Sequence, residues 1–297
     1  MSGKVRRQIS DIMSMNREEV ASAVVTNPPV QNLLRWLVRD DGNGVTPLSR
    51  LFEGYSENHL NGGPKELRDI LPFGALDLSN RISGITKDYA VEKMFKRKFV
   101  TQSIIHAIRS VAELGVIKPQ QFIAPVLVVW NYTQKCNLAC SHCYQDAGEK
   151  AADELKLAQK LDLVDQIADM KVPLMALSGG EPMTGPHFWK VIEYMGTKPF
   201  HTSVATNGTL LSKKYTARLA GCGVDNVQIS LDSVVPAKHD EFRGKGCWEA
   251  TVQGIKNSVA QEGLEVSIAS TITRDNLDEL EDLIKFCIDL GVDYFYT

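Results

Sequence analysis

From about residue 124 onward, short apolar runs and amphipathic stretches succeed one another in regular order. Strand-like runs fall at Val126–Asn131, Leu174–Leu177, Thr202–Ala205, Asn226–Leu231, Glu265–Ser270 and Asp293–Tyr296. Between them lie helical patterns at Asp153–Met170, His187–Tyr194, Ser212–Ala220, Trp248–Gln261 and Asn276–Leu290. Gly221 and Gly223, Gly263 and Gly291 stand where glycine stops a helix. Strand then helix, repeated and closed by a last strand, predicts parallel pairing through right-handed crossovers. An open flavodoxin-like sheet shares this alternation, so the pattern alone leaves sheet and barrel both open.

Residues 1 to about 120 read as mostly helical. Asn16 before Glu18 and Glu19 resembles a capped helix start. Val30–Val38 carries Leu33, Leu34 and Leu37 on one face, and a longer helical pattern spans Lys87 to Leu114 and stops at Gly115. Pro28-Pro29, Asp41–Gly44 and Asn61–Pro64 punctuate the region. The expected division is therefore a helical N-terminal region, 1–120, and a main domain, 121–297, that ends on the sixth strand.

Composition adds exclusions. A 297-residue chain that is 43% hydrophobic and 23% charged has enough apolar material for a large core. A net charge of −3 offers no basic field for nucleic acid. Lys4, Arg6 and Arg7 are not followed by an apolar segment, so they do not begin a secretory signal. No apolar run approaches the roughly 20 residues of a membrane helix, and a cytoplasmic location is expected.

The chemistry concentrates after the predicted strands. Three of the six cysteines, Cys136, Cys140 and Cys143, crowd into one C-x₃-C-x₂-C loop, while Cys222, Cys247 and Cys287 are scattered. A tight cluster in a long chain points to metal rather than to a disulfide framework. Iron–sulfur clusters are normally held by four cysteines, so three local thiolates leave one iron open to a non-protein ligand. A zinc site built from the thiolates and His142 is the alternative. Gly179-Gly180-Glu181-Pro182 follows the second strand, Thr206-Asn207-Gly208 the third, Ser230-Leu231-Asp232 closes the fourth, and Thr271-Ile272-Thr273 follows the fifth. All of these signatures fall on the strand C-terminal ends, where barrels of this type place their sites.

Together these segments resemble the radical S-adenosylmethionine superfamily, over about residues 124–297. The resemblance implies a (β/α)₆ partial TIM-type barrel and a [4Fe–4S] cluster on Cys136, Cys140 and Cys143. It also implies reductive cleavage of S-adenosylmethionine to methionine and a 5′-deoxyadenosyl radical that takes hydrogen from a substrate. Carried onto matching positions, it assigns Gly179, Gly180, Glu181 and Pro182 to the cofactor's ammonium, Ser230 and Asp232 to the ribose, and Arg243 to the carboxylate. His142 then lies near the adenine and Asn207 near the cofactor.

The combination with His239-Asp-Glu-Phe-Arg243-Gly is closest to the branch bearing SPASM or twitch extensions. The chain stops at Tyr296-Thr297, where that branch continues, so a fragment of a longer protein is expected. The implied partners are a reductant such as flavodoxin or ferredoxin and a small-molecule or peptide substrate. An iron–sulfur carrier without radical chemistry is the rival reading; Gly179–Pro182 argues against it, because a carrier has no need of an amino-acid-like site.

Overall fold

The computed structural model describes residues 25–42, 44–60, 72–74, 76–77, 80–81, 83–117, 119–149 and 151–297. The expected helix start at Asn16, the basic residues at 4–7 and the turn at Asn61–Pro64 lie outside these residues. The chain divides into two compact units, with the boundary between Val126 and Leu127.

The first unit is helical: α1 (Pro28–Leu37), α2 (Pro47–Leu60) and α3 (Lys98–Leu114). Pro28 at the first helical position of α1 sacrifices an N–H that has no intrahelical partner anyway. Leu33, expected on one face with Leu34 and Leu37, is 53% exposed, whereas Leu34 and Leu37 are partly buried. The single helix expected over Lys87–Leu114 is broken instead. One α-turn, Lys87–Tyr89, widens into a π-helical turn, Ala90–Phe95, before α3 begins. That turn buries Ala90, Val91 and Phe95, and Phe95 stacks on Phe52 with ring centroids 4.6 Å apart. Burying three apolar side chains outweighs the poorer hydrogen-bond geometry of a π turn.

The second unit holds β1 (Leu127–Thr133), β2 (Leu174–Gly179), β3 (His201–Thr206), β4 (Asn226–Ser230), β5 (Glu265–Ala269) and β6 (Tyr294–Tyr296). The strands pair in parallel in the order β1-β2-β3-β4-β5-β6. A flavodoxin-like sheet would reverse its order at a switch point. The sequential order is that of a (β/α)₆ partial barrel, which resolves the ambiguity left by the alternation. Five longer helices connect the strands: α4 (Leu157–Asp169), α5 (Phe188–Gly196), α6 (Lys213–Gly221), α8 (Cys247–Val259) and α9 (Leu280–Leu290). A sixth, α7 (Pro236–Arg243), lies between β4 and α8 and has no counterpart in the periodicity reading. Apart from Pro236 its apolar positions are Ala237 and Phe242, too few for a stripe, and it forms between Pro236 and Gly244.

Each strand has two different faces. Met175, Leu177, Val204, Val227, Ile229, Val266 and Ile268 are fully buried. The alternate positions, including Ala176, Ser178, Ala205, Gln228, Ser230 and Ala269, are small or polar and partly open. Period-two alternation sends the large apolar set to the helix side and leaves the small polar set inside the barrel. Gly221 ends α6 as its last helical residue, whereas Gly223, Gly263 and Gly291 take positive φ. Among the described residues no helix is long and apolar enough to cross a membrane.

Candidate functional site

The chain leaves β1 and closes a loop at its own neck. Cys136 N–H donates to Gly148 O (3.0 Å) and Gly148 N–H to Gln134 O (2.9 Å). Inside that loop Cys143 N–H donates to Cys140 O (3.2 Å), and the amides of Leu138 and Ala147 face the sulfurs of Cys136 and Cys143 at 3.5 and 3.4 Å. The far side is tied to the end of α7: Ser141 N–H donates to Phe242 O (2.9 Å) and the Cys140 thiol to Arg243 O (3.9 Å).

The three thiols are partly buried and line one cavity of about 340 Å³ at the C-terminal ends of the strands, within the size of small-molecule sites. Burial raises the pKa of Cys136 and of Cys140; at Cys140 the Arg243 cation works in the opposite direction. Among the described residues no three His, Cys, Asp or Glu side chains close on a point that one ion could fill.

The segment Gly179–Pro182 wraps against this loop. Gly179 has φ 116, and the next two amides pair with the β1 exit: Gly180 N–H with Thr133 O (2.7 Å) and Glu181 N–H with Lys135 O (2.8 Å). A Cβ on Gly180 would collide with the Lys135 carbonyl, so glycine is what lets the two backbones meet. Gly179 and Gly180 line the cavity. Glu181 does not: it is fully buried behind the wall. Its carboxylate accepts from Met183 N–H (3.3 Å), Thr206 Oγ1–H (2.9 Å) and Asn207 N–H (2.9 Å). Burial lifts its pKa to about 7 in spite of those donors. The carboxylate expected to meet a cofactor ammonium thus lies behind the cavity wall, with three donors of the protein on it. Pro182 is likewise buried and begins a 3₁₀ turn off the cavity wall. Asn207 lines the cavity, and its Nδ2 donates to Asn137 Oδ1 (2.9 Å) on the cysteine loop.

Beyond β4, Ser230 lines the cavity and Asp232 lies fully buried beneath it. Arg243 grips Asp232 through Nε (2.5 Å to Oδ2) and Nη2 (3.2 Å to Oδ1). Thr271 N–H adds a third bond to Asp232 Oδ1 (2.9 Å). Burial opposes ionisation of Asp232, but the guanidinium outweighs it and holds the carboxyl below its ordinary value. Asp232 thus faces Arg243 rather than open cavity, and Arg243 is a buried ion pair that also reaches the cavity wall. His239 Nδ1 accepts from Asp232 N–H (3.2 Å); burial, then the Arg243 charge, drop its pKa to about 4, so it stays neutral. His142 lines the cavity with Nε2 4.0 Å from Asp232 Oδ2 and its ring edge-on to Phe242, 5.5 Å between centroids.

Ser178, Gln228, Ser270 and Asn276 were missed in the sequence. The first three line the cavity, and Asn276 Nδ2 ties Asp232 O (2.8 Å) to Thr271 O (2.9 Å). For Ser178 and Gln228 the signal was present, since Leu-Met-Ala-Leu-Ser and Asn-Val-Gln-Ile-Ser alternate strictly. Cys222, Cys247 and Cys287 do not reach the cavity, and burial raises the pKa of each.

Residues 130–287 match the Radical SAM superfamily. The chain is 33% identical over 159 residues to mycofactocin maturase MftC of Mycobacterium ulcerans, covering 54% of this chain and 43% of that one. It is 35% identical over 172 residues to AdoMet-dependent heme synthase of Nitratidesulfovibrio vulgaris, covering 56% and 45%. The chain thus matches about half the length of these relatives. In fold it is similar to Streptococcus suis SuiB bound to S-adenosylmethionine, with a TM-score of 0.53 at 18% identity, covering 84% of this chain and 56% of that one. The same protein, bound to precursor peptide SuiA, matches with a TM-score of 0.53 at 19% identity over 66% and 43%.

Proposed function

Since this chain belongs to the radical SAM superfamily, we propose that Cys136, Cys140 and Cys143 hold a [4Fe–4S] cluster beside bound S-adenosylmethionine. When bound, the reduced cluster supplies the electron that splits the cofactor into methionine and a 5′-deoxyadenosyl radical, which takes hydrogen from substrate. The observation that carries this reading is the meeting of three thiols, the Gly179-Gly180 backbone, Ser230 and the Arg243 guanidinium on one cavity. An electron carrier needs the thiols but not the adjoining small-molecule space.

The chain's own groups divide the work. Gly179 and Gly180 present backbone at close range to the cofactor's amino-acid end, and Ser230 offers a hydroxyl to its ribose. His142 and Asn207 flank it. Arg243, held by Asp232, presents a cation toward the carboxylate, and its backbone carbonyl steadies Cys140. Glu181 and Asp232 are positioning residues, acting through Asn207 and Arg243. Tyr144, 82% exposed at the cavity mouth, stands where a substrate or a reductant such as flavodoxin or ferredoxin approaches in the cytoplasm. The relatives' names point to peptide or heme-type substrates, so an amide-bearing chain and a tetrapyrrole are the two candidates.

The test is anaerobic reconstitution with iron and sulfide, reduction with dithionite, and chromatography for 5′-deoxyadenosine. Deoxyadenosine that depends on Cys136 supports the enzyme. A four-iron cluster without cleavage favours the carrier, and zinc without a cluster rejects both.

A further inference from the structure

The strand register sets side chains in rows inside the barrel. Ser203 pairs with Asn226, Ala205 with Gln228, Gln228 with Ser267, and Ser230 with Ala269. The deeper row is closed: Asn226 Oδ1 accepts from Ser203 Oγ–H (2.9 Å) and Ser267 Oγ–H (3.1 Å), and its Nδ2 donates to Glu265 O (3.3 Å). Two residues along β4, Gln228 lines the cavity, and among the described residues its carboxamide has no hydrogen-bond partner. Ser270 lines the same cavity at 5% exposure with its hydroxyl likewise unpartnered. A buried hydroxyl without a partner is destabilising, and a ligand group that pairs with it recovers the lost hydrogen bond. Asn226 and Gln228 therefore differ in kind, one a finished floor and the other an unfilled donor and acceptor above it.

The charge balance narrows what fits. Arg243 is the one Lys or Arg among the described residues lining the cavity; Asp232 pairs with its Nε and Nη2, and in the radical SAM reading its remaining donors go to the cofactor's carboxylate. A second carboxylate entering the lumen would find hydrogen-bond donors but no further cation to offset its desolvation. A carboxamide both donates and accepts, which is the pattern a peptide group returns.

Resting on the radical SAM reading of this site, we propose that Gln228 and Ser270 are specificity-determining residues that receive an uncharged amide of the substrate. The substrate is accordingly an amide-bearing chain, a peptide, rather than a polycarboxylate ring. A site built to pair an amide discriminates strongly against analogues that leave its polar groups unmet.

The test follows the side-chain amide ¹⁵N–¹H signals of Gln228 in the full chain, identified by their loss in Gln228→Leu. The probes are N-methylacetamide, acetate and coproporphyrin. Saturable movement of the Gln228 signals with N-methylacetamide is expected, persisting under saturating S-adenosylmethionine and weakened about fivefold by Ser270→Ala. A shift of equal size with acetate or coproporphyrin overturns the amide assignment, as does no shift at all. Displacement of the probe by S-adenosylmethionine assigns Gln228 to the cofactor and overturns the substrate role. Deoxyadenosine release by wild-type protein is measured in parallel. Its absence with the amide still bound rejects the radical reading and leaves the amide subsite standing.

Discussion

Glu181 puts a carboxyl in the protein interior with three donors and, among the described residues, no cation against it. Burial outweighs those donors, so its pKa rises from 4.5 to about 7. Below pH 4.5 the group is protonated folded and unfolded, and nothing is lost. As the pH climbs toward 7 the unfolded chain releases the proton first, so stability falls across this window and the loss is complete above it. A gap from 4.5 to about 7, at about 1.36 kcal/mol per pH unit, is worth about 3 kcal/mol.

Glu181→Gln removes the titration. Its amide oxygen can keep the Thr206 and Asn207 donors while its NH₂ faces Met183, where the bond is longest at 3.3 Å. Losing that bond costs about 1 kcal/mol at every pH. Urea unfolding of both proteins at pH 5 and pH 8 isolates the effect, because the other titrating groups cancel in the difference. The stability difference should move in the variant's favour by about 2–3 kcal/mol between these pH values. A difference that stays constant, or moves toward the wild type, would refute the argument that desolvation dominates at Glu181.

Replacing Cys136, Cys140 or Cys143 singly with Ala should abolish the cluster's visible absorption and deoxyadenosine formation; wild-type cleavage in all three would sink the ligand assignment. Arg243→Ala strands a buried carboxylate and should cost about 3–5 kcal/mol in urea unfolding, whereas the Asp232→Asn/Arg243→Ala pair recovers part of it. Equal losses in the single and double variants would show that the stranded Asp232 charge is not what the Arg243→Ala variant loses stability to. Gly180→Ala drives a Cβ into the Lys135 carbonyl and should lower iron incorporation while the fold, followed by far-ultraviolet circular dichroism, persists. Wild-type iron content would mean that this contact does not position the cysteine loop.

Sequence alone determined the elements that depend on short-range pattern. The strand and helix alternation, the C-x₃-C-x₂-C loop and the return of every signature to the strand C-terminal ends follow from spacing over a few residues. The same local reading failed where long-range packing decided the outcome. Ala90–Phe95 widened into a π turn because Phe95 had to meet Phe52. Glu181 turned inward because Thr206 and Asn207, some 25 residues away in the chain, offer it donors there. Asp232 and Arg243 found each other across the turn into α7, and the buried pair they form has no local signature in the sequence. The contrast between Asn226 and Gln228 is of the same kind. Both occupy inward positions of one alternating strand, and only the register of β3 and β5 beside β4 closes a hydrogen-bonded floor over the first and leaves the second open. Hydrogen-bond partners separated by tens of residues are chosen by how strands pair, and strand order and register belong to the tertiary structure rather than to any local stretch of chain.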